Sequence, residues 1–167
     1  MRVLAIDPSL RATGFAVVEK VDGKLRALEF GTIRNRPSLL PSGCLVAIHE
    51  RVGELIARHQ PVCAAFEGVI FVQSYKTAIT LGAARGAALV AVAARGLPIF
   101  EYAPRRVKQS VVGRGGADKA QVAFMVRALL GLTENPPPDA ADALAIGLTH
   151  FQTAAGALRS ASPLARI

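Results

Sequence analysis

The chain has no tryptophan, two tyrosines and only two cysteines among its 167 residues. Cys44 and Cys63 form no CxxC pair and stand near no histidine at ligand spacing, which argues against a zinc site. They read instead as small buried hydrophobes in a reducing compartment. Charge is also scarce, at 19% of residues against 51% apolar, so burial is not limiting. The length suits one core of ordinary size rather than two. Long apolar runs are missing. The run at 3–6 stops at Asp7 and Pro8, too short for the core of a signal peptide, and the longest run, 87–94, falls well short of a bilayer span. The expectation is a cytoplasmic protein without membrane contact. Acid is in deficit, 12 Asp and Glu against 20 Lys and Arg, giving a pI near 10.3. A small domain this basic points towards a polyanionic partner, although basicity alone leaves that open.

Apolar runs at 3–6, 14–18 and 25–33, the last two separated by the turn pair Asp22-Gly23, predict three strands in an antiparallel meander. A Pro- and Ser-containing connection is expected over 34–43. Leu45, Ile48, Val52, Leu55 and Ile56 recur at helical spacing and predict a helix over 45–59, stopped by Pro61. A short strand follows at 62–66, a long helix at 74–95 and a strand at 98–102. Two helices are expected at 105–112 and 118–130, separated by Gly113-Arg114-Gly115-Gly116. After Pro136-Pro137-Pro138 a last helix is expected from Asp139 to about Phe151. The pattern describes an α/β fold with a mixed sheet and helices on both faces. One domain is assigned to 1–152 and a flexible tail to 153–167.

Four carboxylates stand out by position. Asp7 and Glu67 each end an apolar strand, where a buried acid needs a positive partner. Asp139 and Asp142, three residues apart, share one face at the start of the last helix, where the helix dipole favours their ionised form. With Leu144, Ile146 and Leu148 packed on the sheet, both acids can face the strand ends. Such a cluster suits Mg²⁺, a hard ion that takes oxygen ligands, and two ions together can clamp an in-line phosphoryl displacement. Spacing alone leaves simpler roles open: Asp7 as a turn former with Pro8, and Asp139 as a helix cap. The strand ending at Asp7 with nearby Thr13-Gly14 is also compatible with a phosphate-binding hairpin of an actin-like ATPase or sugar kinase, but those folds need a second lobe that this length does not provide. A non-catalytic nucleic-acid-binding module is a third possibility.

Ordered blocks go further. Arg2-Val3-Leu4-Ala5-Ile6-Asp7-Pro8-Ser9 with Thr13-Gly14-Phe15 resembles the opening motif of the RuvC family of Holliday junction resolvases. Ala65-Phe66-Glu67 and Leu81-Gly82-Ala83-Ala84-Arg85-Gly86 are similar to its second block. Glu101-Tyr102-Ala103-Pro104 and Val107-Lys108-Gln109-Ser110-Val111-Val112-Gly113 are similar to its third, and Asp139-Ala140-Ala141-Asp142-Ala143-Leu144-Ala145-Ile146 to its fourth. The resemblance runs from Met1 to about His150. It implies an RNase H-like fold and a homodimer in which each subunit nicks one strand of a four-way DNA junction. It further implies Asp7, Glu67, Asp139 and Asp142 as catalytic ligands of Mg²⁺, two ions per site with Mn²⁺ a possible substitute. Lys108 and Lys119 fall where the family places lysines on DNA phosphates. RuvA and RuvB are implied as branch-migration partners. The family usually carries a stacking aromatic three residues after the glutamate. Here that position is Ile70, followed by Phe71, so Ile70 as a wedge or Phe71 as a stacking surface is expected to take its place, the alternative being that Phe71 packs in the core.

Arg105, Arg106, Lys108, Arg114 and Lys119 lie close together, opposed by Asp118 alone, beside glycines and a helix start, and are expected to bind phosphate. The helix at 74–95 is crowded with Ala and Gly, which suggests close backbone approach. By resemblance it contributes to the dimer interface, the alternative being packing on its own sheet. His49 and His59 read as surface groups, and neither they nor His150 is given a catalytic role.

Overall fold

The computed structural model describes residues 1–69 and 74–160, with side chains to residue 154. The expected wedge and stacking residues Ile70 and Phe71 lie outside the described residues. In chain order the elements are β1 (Arg2–Asp7), β2 (Ala12–Val21), β3 (Lys24–Arg34), α1 (Pro41–His59), β4 (Cys63–Glu67), α2 (Tyr75–Ala93), β5 (Ile99–Tyr102), α3 (Pro104–Val112), α4 (Lys119–Leu130) and α5 (Pro138–Ser160). The strands form one sheet in the order β3-β2-β1-β4-β5. β1, β2 and β3 pair antiparallel, whereas β4 runs parallel to β1 and β5 parallel to β4. The β2–β3 hairpin turns through Asp22 and Gly23, with φ of 49° and 79°, the paired left-handed conformation that a two-residue turn between twisted strands requires.

Side-chain alternation divides the core in two. Val3 and Ala5, Ala16 and Val18, Cys63 and Ala65 face the side of the sheet covered by α3, α4 and α5. Leu4 and Ile6, Phe15 and Val17, Ala64 and Phe66 face the side covered by α1 and α2. The strands are apolar on both faces because each face carries helices. Leu144, Ile146 and Leu148 of α5 are essentially inaccessible, as the sequence pattern predicts, and each contributes roughly 1.5–3 kcal/mol by burial. His150 also belongs to this core. Its Nδ1 lies 2.8 Å from the Tyr102 hydroxyl and its ring packs 4.9 Å from Phe100. Burial pushes its pKa down to about 4, so the ring is a neutral structural group.

Two boundaries differ from expectation. α1 begins at Pro41, inside the expected connection, because proline fits the first helical turn, where its missing N–H has no partner to lose. α5 continues past Phe151 to Ser160. The alanines of that segment are strong helix formers, and Gly156 alone is too weak an interruption to end the helix.

α2 is long and apolar enough, by length and composition, to cross a bilayer. Its central charge is nevertheless committed to the sheet: Arg85 bonds the main chain of Glu67 and the carboxylate of Glu101. This helix is therefore a layer of the domain, packed on α1 and β5.

Candidate active site

The strand registers set up one row of residues at the end of the sheet where β1, β4 and β5 finish. Thr32 lies opposite Gly14, Gly14 opposite Asp7, and Glu67 opposite Tyr102. Asp7 and Glu67 follow directly on the pair Ile6–Phe66, on strands about 4.8 Å apart. Asp7 continues the parity of Val3 and Ala5, and Glu67 that of Cys63 and Ala65, so both carboxylates leave the sheet on the α5 side. The turn after Asp7 is closed without its carboxylate. The Ser9 N–H donates to Thr13 Oγ1 at 3.1 Å, and the Thr13 hydroxyl donates to the Ser9 carbonyl at 2.6 Å. Asp7 is thus spared the role of turn former.

α5 brings the other pair. Asp139 lies in its first turn rather than at its cap. A β-carbon at Gly14 would overlap the Asp139 carbonyl oxygen, so glycine is what lets the helix start sit on the strand beside Asp7. The Thr32 hydroxyl makes a long contact, 3.4 Å, with Asp139 Oδ2. Lys119 Nζ donates to Asp142 Oδ2 at 2.9 Å. Asp7 and Glu67 line a cleft of about 420 Å³ with Pro8, Gly68, Val69, Leu81, Pro104 and Arg105.

Electrostatics couple the acids. Burial, reinforced by Asp142 and Asp139 and opposed by Lys119, raises the Asp7 pKa to about 6. Burial together with Asp7 and Asp142, opposed by Lys119 and Lys108, raises that of Glu67 to about 7. Lys119 is held above its ordinary value, first by its hydrogen bond to Asp142. The donor set fits a divalent cation by its chemistry: all the candidate donor atoms are carboxylate oxygens, and burial makes Asp7 and Glu67 resist ionising. Among the described residues, however, no three acidic, His or Cys side chains are already gathered into a ligand cage. Like charges repel, and Lys119 supplies the counter-charge at Asp142.

These raised values have a consequence for metal-free protein. Between the ordinary carboxylate range and pH 7 the native state holds protons that the unfolded chain releases. The stability associated with Asp7 and Glu67 is therefore fully present below about pH 4 and is lost as pH rises through 6 and 7. Glu67→Gln removes one ionisation and should stabilise metal-free protein at pH 8 by on the order of 1–2 kcal/mol, after discounting for solvent screening, and by little at pH 5. Denaturant unfolding of both proteins at the two pH values measures this. Taking the difference cancels the opposite slope of His150, and an equal effect at both pH values would contradict it.

The basic residues divide. Arg105 lines the cleft, and the Lys108 and Lys119 charges reach Glu67. Arg106 is exposed on α3. Arg114 lines a separate hollow with Asp118 and Phe124. At the start of α4 the Asp118 side chain accepts from the Gln121 N–H at 2.8 Å, and the Asp118 N–H donates to Gln121 Oε1 at 3.1 Å. His59 is less exposed than a surface reading implies, being 2.6 Å from Glu29. Thr32 was not singled out in the sequence, and Arg85 only as part of a family block without a role, because no local spacing reveals that a neighbouring strand or a helix will place them against Asp139 and Glu67.

A mixed sheet in this order, an antiparallel meander continued by parallel strands, with helices on both faces and acids at one end, defines an RNase H-like domain. The family model described as Crossover junction endodeoxyribonuclease RuvC matches residues 3–150. Crossover junction endodeoxyribonuclease RuvC of Akkermansia muciniphila is 57% identical over 154 residues, covering 92% of each chain. That of Edwardsiella ictaluri is 46% identical, covering 96% of this chain and 92% of the relative. Among solved structures, T. thermophilus RuvC in complex with Holliday junction substrate superposes with a TM-score of 0.90 at 38% identity, covering 100% of this chain and 99% of the other. The chain belongs to the RuvC family of crossover junction endodeoxyribonucleases. Use of a divalent metal is consistent with that membership.

Proposed function

We propose that this chain resolves Holliday junctions in recombination and repair by paired, metal-dependent hydrolysis of two opposed phosphodiesters. Asp7, Glu67, Asp139 and Asp142 are the metal ligands and catalytic carboxylates of this reading, for two Mg²⁺ ions that Mn²⁺ can replace. The observation that carries it is the row at the sheet end: Asp7 and Glu67 emerge from adjacent strands on the face where α5 presents Asp139 and Asp142. Bound metal supplies Lewis-acid activation of water and of the scissile phosphate. The protein's own contribution is to hold the acids on strand ends and a helix start, with Asp7 and Glu67 buried enough to resist ionising until the cation joins them. Lys108, Lys119 and Arg105 surround the cleft with positive charge, while Arg106 and Arg114 extend it outward. In this reading all five hold junction phosphates, fixing register without reading sequence.

The homodimer belongs to the same proposal. Gly82 and Gly86 of α2 have no neighbour within 4 Å of where a side chain would begin, and Tyr75, Ile79 and Val90 are exposed. The sheet is packed instead by Ala84, Ala88, Ala91 and Val92. A second copy on this outer face suits a two-fold junction, and partners of RuvA and RuvB type would deliver the junction. Cleavage of a labelled four-way junction, a linear duplex of the same arms and an RNA–DNA hybrid, each with Mg²⁺, tests substrate class. Strong preference for the junction is expected; equal cutting of duplex or hybrid would point to another nuclease of this fold.

A further inference from the structure

Glu67 occupies the last position of a five-residue strand, where a chain end would ordinarily be free to shift. Two groups on the opposite face of the sheet prevent this. Arg85, in the middle of α2, donates from one guanidinium nitrogen to the Glu67 main-chain carbonyl at 2.8 Å, and from the other to the Glu101 carboxylate. Its guanidinium lies 5.4 Å above the Phe66 ring, and its side chain is only 12% exposed. Glu101 fills the space beside Gly68, where a β-carbon would lie 2.9 Å from Glu101 Oε1. The Gly68 N–H donates to the Tyr102 carbonyl at 2.8 Å. The Glu67-Gly68 peptide is thus gripped from below while the Glu67 side chain projects above.

We propose that Arg85, braced by Glu101, is a positioning residue for cleavage: it fixes the main chain of Glu67 so that the carboxylate is presented to the metal on the other side of the sheet. The inference rests on Glu67 being a metal ligand. Only a planar guanidinium offers two separated nitrogens to a carbonyl and a carboxylate at once; an ammonium keeps the charge but not the fork. Arg85 touches neither metal nor DNA in this scheme, so its loss acts through the fit of Glu67.

The test uses full-length Arg85→Lys, Arg85→Ala, Glu101→Gln and Glu67→Gln. Single-turnover junction cleavage is followed against Mg²⁺ concentration, alongside metal-free junction affinity and melting temperature. Arg85→Lys, which retains the ion pair, should melt near the parent temperature and bind the junction within about twofold, yet need about tenfold more Mg²⁺ for half-maximal cleavage, the scale seen when outer partners of metal ligands are removed. Glu101→Gln, the mildest change, should shift the Mg²⁺ requirement in the same direction by less. Parent Mg²⁺ dependence in both Arg85 variants, with Glu67→Gln inactive, would overturn the positioning role and leave the site intact. Parent cleavage by Glu67→Gln would overturn the metal-ligand reading itself.

Discussion

Asp7→Asn should reduce junction cleavage by on the order of a thousandfold or more, beyond the ten- to hundredfold loss typical of outer partners of a metal site, while junction affinity stays near the parent value. Asp7 is the central acid of the row, paired with Gly14 on one side and next to Glu67 on the other. Its charge acts on both Glu67 and Lys119. An amide keeps the shape but removes the negative charge that draws in a divalent cation. Binding should survive because it is carried by the basic side chains around the cleft. The same substitution should make metal-free protein more stable at pH 8, since a buried charge is removed; function and stability conflict at this position. Cleavage rate, junction gel-shift and thermal unfolding separate the three effects. Retained cleavage would remove Asp7 from the chemistry.

Gly14→Ala should have the second largest effect, although no functional atom is changed. The new methyl would occupy the place of the Asp139 carbonyl oxygen. A main-chain atom in the first turn of a packed helix cannot rotate aside as a flexible side chain can, so either β2 or the start of α5 must move. Displacements near 1 Å at a catalytic group cost on the order of a hundredfold in rate, and that is the loss expected here. Overpacking should also destabilise the fold by roughly 1–3 kcal/mol. The comparison that isolates the cause is Gly23→Ala in the distant hairpin, where a β-carbon would meet nothing within 4 Å. That variant is strained by its positive φ but should cleave normally once folded. Equal loss in the two would mean that Gly14 acts through general stability rather than through α5.

Much of this site was legible in the sequence because it depends on short-range rules. Strand parity places Asp7 with Val3 and Ala5, three-residue spacing places Asp142 with Asp139, and an acid ending an apolar run marks a chain segment leaving the core. Resemblance in ordered blocks then turned four suspicious acids into one family, and the sheet came out mixed and covered on both faces as expected. What stayed hidden depends on tertiary approach. Nothing local tells that Gly14 will meet the carbonyl of Asp139, that Thr32 will point at its carboxylate, or that Arg85 will cross beneath the sheet to Glu67. Helix ends were misjudged for a related reason. Pro41 and the alanine-rich end of α5 were read as connection and tail by composition, whereas proline is compatible with a first turn and alanine favours helix wherever nothing stops it. The Lys119–Asp142 pair is a case in between: both residues were singled out, one for phosphate and one for metal, but their mutual contact follows only from the packing of α4 on α5.

The most direct test of the central claim is the pattern of incision in a labelled synthetic four-way junction as Mg²⁺ is added to the parent protein and to Asp7→Asn. Symmetric nicks in two opposed strands that appear with metal and vanish in the variant are the predicted result. Tight junction binding without incision across several junction sequences, with Mn²⁺ as well as Mg²⁺, would contradict it and leave the carboxylate row without its proposed role.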